Sequence, residues 1–444
     1  MERNLILDAS DREMLLRLQS ETFDYFVREA RPQNGLIADK TEPGSPSSIA
    51  AVGLGLSAYC VAVERGCMAR TEAIARTLAT LRFLQASPQG PEPDATGYHG
   101  FYYHFLDMST GRRAWQCEIS TIDTALLMAG VLTVGSYFGG ATRDESEIRA
   151  LADALYRRVD WTWASTGTGT IRHGWTPERG FLEYSWDEGY SEAILLYVLA
   201  LGSPTFAIAA QGYREWTATF EWKTVHGHDY LYAGPLFIHQ LSHAWVDFRE
   251  VRDARNREVD CDYFENSRRA TLVQRQHAIE NPQGFAHYSR NGWGLTASDG
   301  PGPAVRVVDG RRRVFYGYLA RGAPFGPDDG TISPWAVVAS LPFAPDAVCE
   351  TIRHAVEQLA LEKKTGRGFD ASYNPTFRER RGAGKSRGWV SPWKFGLNEG
   401  PIVLMIENHL SGLVWSVFGR SPYVVAGLRR AGFRGGWLDQ APAV

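Results

Sequence analysis

The chain has 444 residues, 47 Lys and Arg against 50 Asp and Glu, a formal net charge of −3 and 44% hydrophobic residues. This balance excludes a disordered tail, a collagen-like fibre and a general nucleic-acid binder, which needs a basic excess to neutralise phosphates. Aromatic residues make up 12%, with 14 Trp, and Trp belongs in a core or against flat apolar faces such as those of sugar rings.

Taken in chain order, apolar residues at helical spacing or in long runs predict helices over Arg12–Ala30, Ser48–Val63, Thr71–Gln85, Thr121–Tyr137, Asp144–Trp163, Glu192–Leu201, Pro204–Thr217, Phe264–Glu280, Pro334–Leu341, Ala344–Lys363, Gly400–Leu410 and Pro422–Ala431. Asp144 to Glu147 form an acidic first turn, and Pro204 stands at a first helical position. The runs Ile49–Val63 and Ala125–Ala141 carry no charge. Both fall short of the ~18–20 apolar residues that span a bilayer, so they are expected as helices buried on several sides. Strand-like stretches are short: Tyr98–Phe105, Gly167–His173 and Gly180–Tyr184. About twelve helices in regular succession suit a ring of six helical hairpins. The expected fold is all-α, a single (α/α)6 barrel or toroid over residues 1–444, with short β-hairpins in the loops at the active-site end.

Charges interrupt the N-terminal apolar stretches, so no secretory core is present. The expected location is cytoplasmic, or periplasmic if a targeting segment has been removed, with no membrane association. The five cysteines are widely spaced and lack a Cys-x-x-Cys, and are read as buried free thiols.

Candidate chemistry lies in polar, aromatic loops just ahead of buried helices. In the stretch from Tyr98 to Leu127, Ser120 and Asp123 have the spacing of a capping box, whereas Glu118 precedes the cap and has no such explanation. Glu192 opens an otherwise uncharged helix behind Trp186 and Tyr190. A carboxyl there either complements the helix dipole or, with its pKa raised, serves as a general acid near neutral pH. Asn398 and Glu399 sit in a turn before Gly400-Pro401, and Glu407 two turns on is read either as part of the site or as an anchor for neighbouring loops. His239, His243, Asp247 and Arg249 form one further wall and Asn291–Asp299 another. The two His lack a zinc-protease Glu and a third ligand. Gly384-Lys385-Ser386 is no phosphate loop, since position 379 is Glu and no apolar strand precedes it. No metal or cofactor is expected. Acids beside aromatics, without metal, nucleotide or Gly-x-Ser-x-Gly motifs, point to glycoside chemistry by two carboxyl groups.

The segments GLIADK (Gly35–Lys40), HGFYYHFLD (His99–Asp107), EISTIDTALLMAG (Glu118–Gly130), YSEAILLYVLALGSP (Tyr190–Pro204), HAWVDFR (His243–Arg249), NGWGLTASDG (Asn291–Gly300), SLPFAPDA (Ser340–Ala347) and GPIVLMIENHLSGLVW (Gly400–Trp415) resemble the glucoamylase-like domain of glycoside hydrolase family 144 and its relatives, families 162 and 189. The resemblance runs from about residue 13 to 432. It implies an (α/α)6 barrel acting on β-1,2-glucans, most often as an endo-β-1,2-glucanase, and no α-1,4-glucan hydrolysis. It also implies Glu192 as the leading catalytic carboxyl, with Glu118 and Asp123 matching the family's Glu-x-Ser-Thr-x-Asp acids. In a retaining branch Glu118 would pair with Glu192; in an inverting branch the base acts through water and its position varies. Ser191 and Glu399 depart from the family's Tyr-Asn-Glu and Asn/Asp-Gln-Gly-Pro patterns, so both outcomes stay open. His104, Trp186, Tyr190, Arg249, Trp293, Asn398 and Glu399 are the substrate-binding candidates. The expected partner is an oligo- or polysaccharide, bound by a monomer or weak homo-oligomer. The alternatives are a transglycosylase, an exo-acting sophorose-releasing enzyme and a non-catalytic glucan-binding protein.

Overall fold

A helix that is apolar around its whole circumference has to be covered around its whole circumference. In the computed structural model, which describes residues 8–357, 367–378 and 388–442, the two uncharged runs do this. The helix Ile49–Glu64 is buried from Ile49 through Ala62, and Thr121–Tyr137 from Asp123 through Val134. Serine caps start both: Ser48 Oγ accepts from the Ala51 N–H at 3.5 Å, and Ser120 Oγ from the Asp123 N–H at 3.2 Å. The two helices meet where each presents glycine. A Cβ on Gly53 would lie 2.3 Å from the Leu126 carbonyl oxygen, and one on Gly130 2.1 Å from that of Gly53. Only a residue without a side chain lets the backbones approach this closely.

Around this pair the packing continues in both directions. Ile49–Glu64 also packs on Gly396–Leu410, which in turn contacts Pro334–Ala339 and the peripheral helix Ala9–Arg28. Thr121–Tyr137 packs on Ile194–Gly202, and that helix on Pro422–Arg430. Peripheral helices are amphipathic, as the exposed surface requires. Arg143–Arg158 buries Ile148, Ala152, Leu155 and Tyr156, and its acidic first turn is capped by Thr142 Oγ1, which accepts from the Glu145 N–H at 3.2 Å. Glu407 is an anchor. It accepts from Arg65 Nε at 2.7 Å, Gln19 Nε2 at 3.1 Å and Ser411 Oγ at 2.6 Å, tying three helices together.

The described residues form seven small sheets, none wider than three strands. The three-stranded one joins Ile119–Ser120, Gly174–Thr176 and Gly180–Phe181, with Ile119 opposite Trp175 and Trp175 opposite Phe181. The hairpins Trp222–Val225 with His228–Leu231, and Ala304–Val308 with Arg311–Phe315, were not expected from the sequence pattern.

Several boundaries differ from expectation. The Pro204 helix is absent where proposed: Ser203 Oγ accepts from the Thr205 and Phe206 N–H groups in a local turn, and the helix runs Ala210–Ala218. The long helix from Asp144 stops at Arg158, because Asp160 Oδ1 takes the Trp163 N–H into a turn. Gly396–Leu410 begins a turn early and carries Asn398 and Glu399 in its first turn. Gly167–His173 holds no strand, only the isolated bridges Ser165 to Ile171 and Arg172 to Ser185. The helix expected over Ala344–Lys363 is seen as Pro345–Glu357; its remainder and Gly384-Lys385-Ser386 lie outside the described residues. All five cysteines are free, but Cys67 is exposed rather than buried. Among the described residues no helix is long and apolar enough to cross a membrane.

Candidate active site

Loops ahead of the buried helices converge on a cleft of about 430 Å³. Its charged lining comprises Asp39, Lys40, His104, Asp123, Glu192 and Asp299, and its walls include Phe105, Trp115, Tyr318, Phe395 and Asn398.

Glu192 lies in the turn just before Ile194–Gly202, a helix in which every residue is buried. Ser242 fixes that turn: its Oγ donates to the Glu192 carbonyl at 2.9 Å and accepts from the Leu195 N–H at 3.2 Å. Burial pushes the Glu192 carboxyl up to about 7 against a modest pull from its own backbone N–H, and the charge of Asp123 adds to the rise.

His104 is a second charged centre of the lining. Its ring stacks on Phe105 at 4.0 Å, with Nδ1 2.9 Å from Glu118 Oε1 and Nε2 3.5 Å from Asp123 Oδ2. Burial disfavours the imidazolium, but Asp123, Glu118 and Asp39 together outweigh burial and hold the ring up at about 9. At neutral pH His104 is therefore a cation. Burial pushes Glu118 upward, yet the bond and charge of His104 prevail and lower it. Glu118 is thus an ionised carboxylate set behind His104, outside the cleft lining.

Asp123 combines both roles read for it. Its N–H donates to the Ser120 cap, and Ser120 Oγ donates to Asp123 Oδ2 at 2.5 Å, while the carboxyl lines the cleft. Burial raises Asp39 to about 6, with His104 and Lys40 pulling down and Asp123 pushing up. Asp299 accepts from the Gly300 N–H at 2.9 Å and from Ser391 Oγ at 3.0 Å. Asp39 and Asp299 were not singled out from the sequence, although both lie in quoted motifs. Their signal was an acid at the end of a Gly-containing loop, ahead of the next buried segment.

A buried arginine holds the Asp299 side of the cleft. Arg321 and Asp329 are fully buried and doubly bonded, Nε to Oδ1 at 2.7 Å and Nη2 to Oδ2 at 2.9 Å. The same guanidinium donates to the carbonyls of Ser298 at 2.8 Å and Gly317 at 3.0 Å. Those residues precede Asp299 and Tyr318 by one position each.

Of the seven sequence-derived binding candidates, His104 and Asn398 line the cleft, Glu399 sits behind it, and the other four need correction. Trp293 is wholly buried and donates Nε1 to Thr351 Oγ1 at 3.0 Å. Tyr190 is buried and stacks on Tyr263 at 5.8 Å. Trp293 is a core packing residue, and Tyr190 borders a separate groove with Asp187, Glu221 and Lys223 rather than the cleft. Trp186 stacks on His173 at 4.0 Å and donates to Thr121 Oγ1, so it braces the helix entry without lining the cleft. Arg249 is drawn to Asp247 at 2.7 Å and lies over Trp415 at 4.8 Å, away from the lining. Asn398 does line the cleft, whereas Glu399 sits behind it, buried, 3.7 Å from Lys394 Nζ. His239 and His243 are buried, bonded to the Ala233 carbonyl and Ser267 Oγ respectively, and burial lowers them to about 4 and about 3, so both are neutral core groups.

Residues 183–422, more than half of the chain, match the model of the family described as "Putative glucoamylase". The chain belongs to this family. The family expected from the motifs is thus borne out. A curated relative of the glucoamylase-family chain is the exo β-1,2-glucooligosaccharide sophorohydrolase (non-reducing end) of Parabacteroides distasonis, 27% identical over 95% of this chain. The chain spans 58% of that relative's length. Among solved structures, a Bacteroides uniformis protein described in the same words as the family is 29% identical, with a TM-score of 0.84, covering 97% of this chain and 100% of its own. The endo-β-1,2-glucanase of Chitinophaga pinensis, solved with sophorotriose and glucose, is 26% identical with a TM-score of 0.81, covering 96% and 99%. The glucoamylase-family chain is accordingly a helix-rich protein of glucoamylase-like fold.

Proposed function

We propose that this chain is a glycoside hydrolase that cleaves β-1,2-glucosidic bonds in β-1,2-glucan or sophorooligosaccharides, in a cleft at one end of an (α/α)6 toroid. One observation carries the reading: Glu192 faces a cleft that holds three further carboxyls, and burial keeps its pKa near neutrality at about 7. A protonated carboxyl and an ionised carboxylate on opposite sides of a scissile bond are what glycoside hydrolysis requires. The printed activities of the Parabacteroides and Chitinophaga relatives supply the linkage. The series of buried helices from Pro334–Ala339 through Gly396–Leu410, Ile49–Glu64 and Thr121–Tyr137 to Ile194–Gly202, each packed on the next, supports the toroid.

In this reading Glu192 gives its proton to the departing glycosidic oxygen. Asp123, held by the Ser120 hydroxyl and facing the His104 cation, serves as the second carboxylate. Glu118 keeps His104 protonated and oriented, a positioning role rather than the paired role that a retaining branch implies. Asp39 and Asp299 contact sugar hydroxyls.

Linear β-1,2-glucan incubated with the protein is expected to yield short sophorooligosaccharides. The general acid works only while protonated, so kcat/KM is expected to fall as pH rises through about 7. Folded protein that releases no sugar from β-1,2-glucan at any pH between 5 and 8 would contradict the proposal.

A further inference from the structure

We propose that Trp115 is the sugar-stacking platform of a distal subsite, one that binds a glucosyl unit beyond those flanking the scissile bond and makes affinity rise with chain length. The inference rests on the glycosidase reading above and goes beyond it. Trp115 lies in the stretch from Tyr98 to Leu127 and was not among the binding candidates read from the sequence.

Three observations meet at this side chain. First, Trp115 lines the cleft and is 63% exposed, the one Trp among the exposed large hydrophobic residues described. An indole face left in water gains by covering a flat apolar surface. Second, the chain spends conformational energy to put it there. Trp115 and Gln116 both adopt left-handed backbone, each with φ of 54°, which residues bearing a Cβ avoid unless their surroundings enforce it. Third, the enforcing group is visible. Arg113, with its side chain 2% exposed, donates Nε to the Cys117 carbonyl at 2.6 Å and Nη2 to the Gln116 carbonyl at 2.7 Å. Its remaining donors grip Glu178 at 2.7 and 3.1 Å, and its guanidinium lies over the Tyr103 ring at 4.8 Å. A buried arginine thus clamps a strained turn so that the indole stands out in the cleft instead of folding into the core.

The position of Trp115 identifies what it would meet. Phe105 separates it from the charged centre: the Trp115 and Phe105 rings are 5.1 Å apart, and Phe105 stacks on His104 at 4.0 Å. His104 in turn faces Asp123. The aromatic series His104, Phe105, Trp115 leads from the carboxyls to the rim, so the sugar over Trp115 is removed from the bond being cut. Tyr318, 56% exposed, also lines the cleft, its ring 6.1 Å from Phe395. Two exposed aromatic side chains in one cleft suit a chain of pyranose rings.

The test uses E192Q, which is expected to bind without turnover, and measures Kd by titration with sophorotriose and a ladder of longer β-1,2-glucooligosaccharides. Affinity of E192Q is expected to rise with length. In E192Q/W115A that rise is expected to vanish, with about a 10-fold loss on the longest oligosaccharides, while E192Q/W115F retains most of it. In the active background the W115A change is expected in KM more than in kcat, as for binding equal in ground and transition states. Identical Kd values with and without Trp115 at every length overturn the inference, and so does an equal loss at the shortest and longest, which would place the indole beside the scissile bond. A wild-type protein that cleaves β-1,2-glucan while W115A matches it in KM overturns the subsite alone. A wild type that cleaves none, with an E192Q that binds none, overturns the glycosidase reading and the subsite with it.

Discussion

Glu192→Gln is expected to lower kcat on β-1,2-glucan by roughly 10²–10⁴-fold, the range general acid catalysis supplies. Glutamine keeps the shape of the side chain but has no proton to give to a departing sugar oxygen. Loss of fold would mimic this result, and the pKa shift separates the two. The carboxyl moves from an ordinary 4.5 to about 7 on folding, so between those pH values the folded state binds the proton more tightly than the unfolded chain. Its contribution to stability is therefore most favourable below about 4.5 and declines until pH passes about 7. Glutamine removes that cost. At pH 8 the variant is expected to unfold at a temperature no lower than wild type, while its turnover is almost gone. A variant that loses activity and several degrees of thermal stability together would assign Glu192 a structural role.

Arg321→Met is expected to destabilise the protein by about 3–5 kcal/mol, the cost of leaving one partner of a buried ion pair behind. Asp329 would be left without its partner at 0% exposure, and the Ser298 and Gly317 carbonyls would each lose a donor. Pairing the change with Asp329→Leu removes the stranded carboxyl, so the double variant is expected to lose less than the single one. Both segments that Arg321 holds carry cleft residues, Asp299 and Tyr318. Turnover is therefore expected to fall more steeply with Arg321→Met than with a core change of equal cost elsewhere. Denaturant unfolding with kcat/KM in parallel checks both statements. A loss under about 1 kcal/mol would mean that the buried pair is close to neutral against an apolar replacement.

Much of the helical framework was legible in the sequence because burial leaves a plain mark. Ile49–Val63 and the run from Ala125 carry no charge, and they became long helices buried on every side over most of their length. Glu192 was legible for the same reason, being the one acid at the mouth of a wholly apolar helix. Trp293 and Tyr190 misled because an aromatic ring beside polar loop residues reads alike whether it faces a cleft or the core, and both rings turned inward. The Pro204 start failed where Ser203 formed its own turn. Asp39 and Asp299 escaped because their partners are distant in sequence: His104 for the first, and Ser391 for the second. No local pattern encodes a long-range convergence of that kind. Arg321 and Asp329 are eight residues apart, and nothing in their spacing distinguishes a buried pair from an exposed one.

The central claim is that Glu192 holds its proton at neutral pH in the absence of substrate. Difference infrared spectroscopy of wild type against Glu192→Gln, followed across pH, measures this directly through the carbonyl stretch of a protonated carboxyl. The account predicts a band present in wild type at pH 6, absent from the variant, and titrating with a midpoint at about 7. A Glu192 band that has already vanished by pH 5 would mean an ordinary ionised carboxylate, and the assignment of Glu192 as general acid would be wrong.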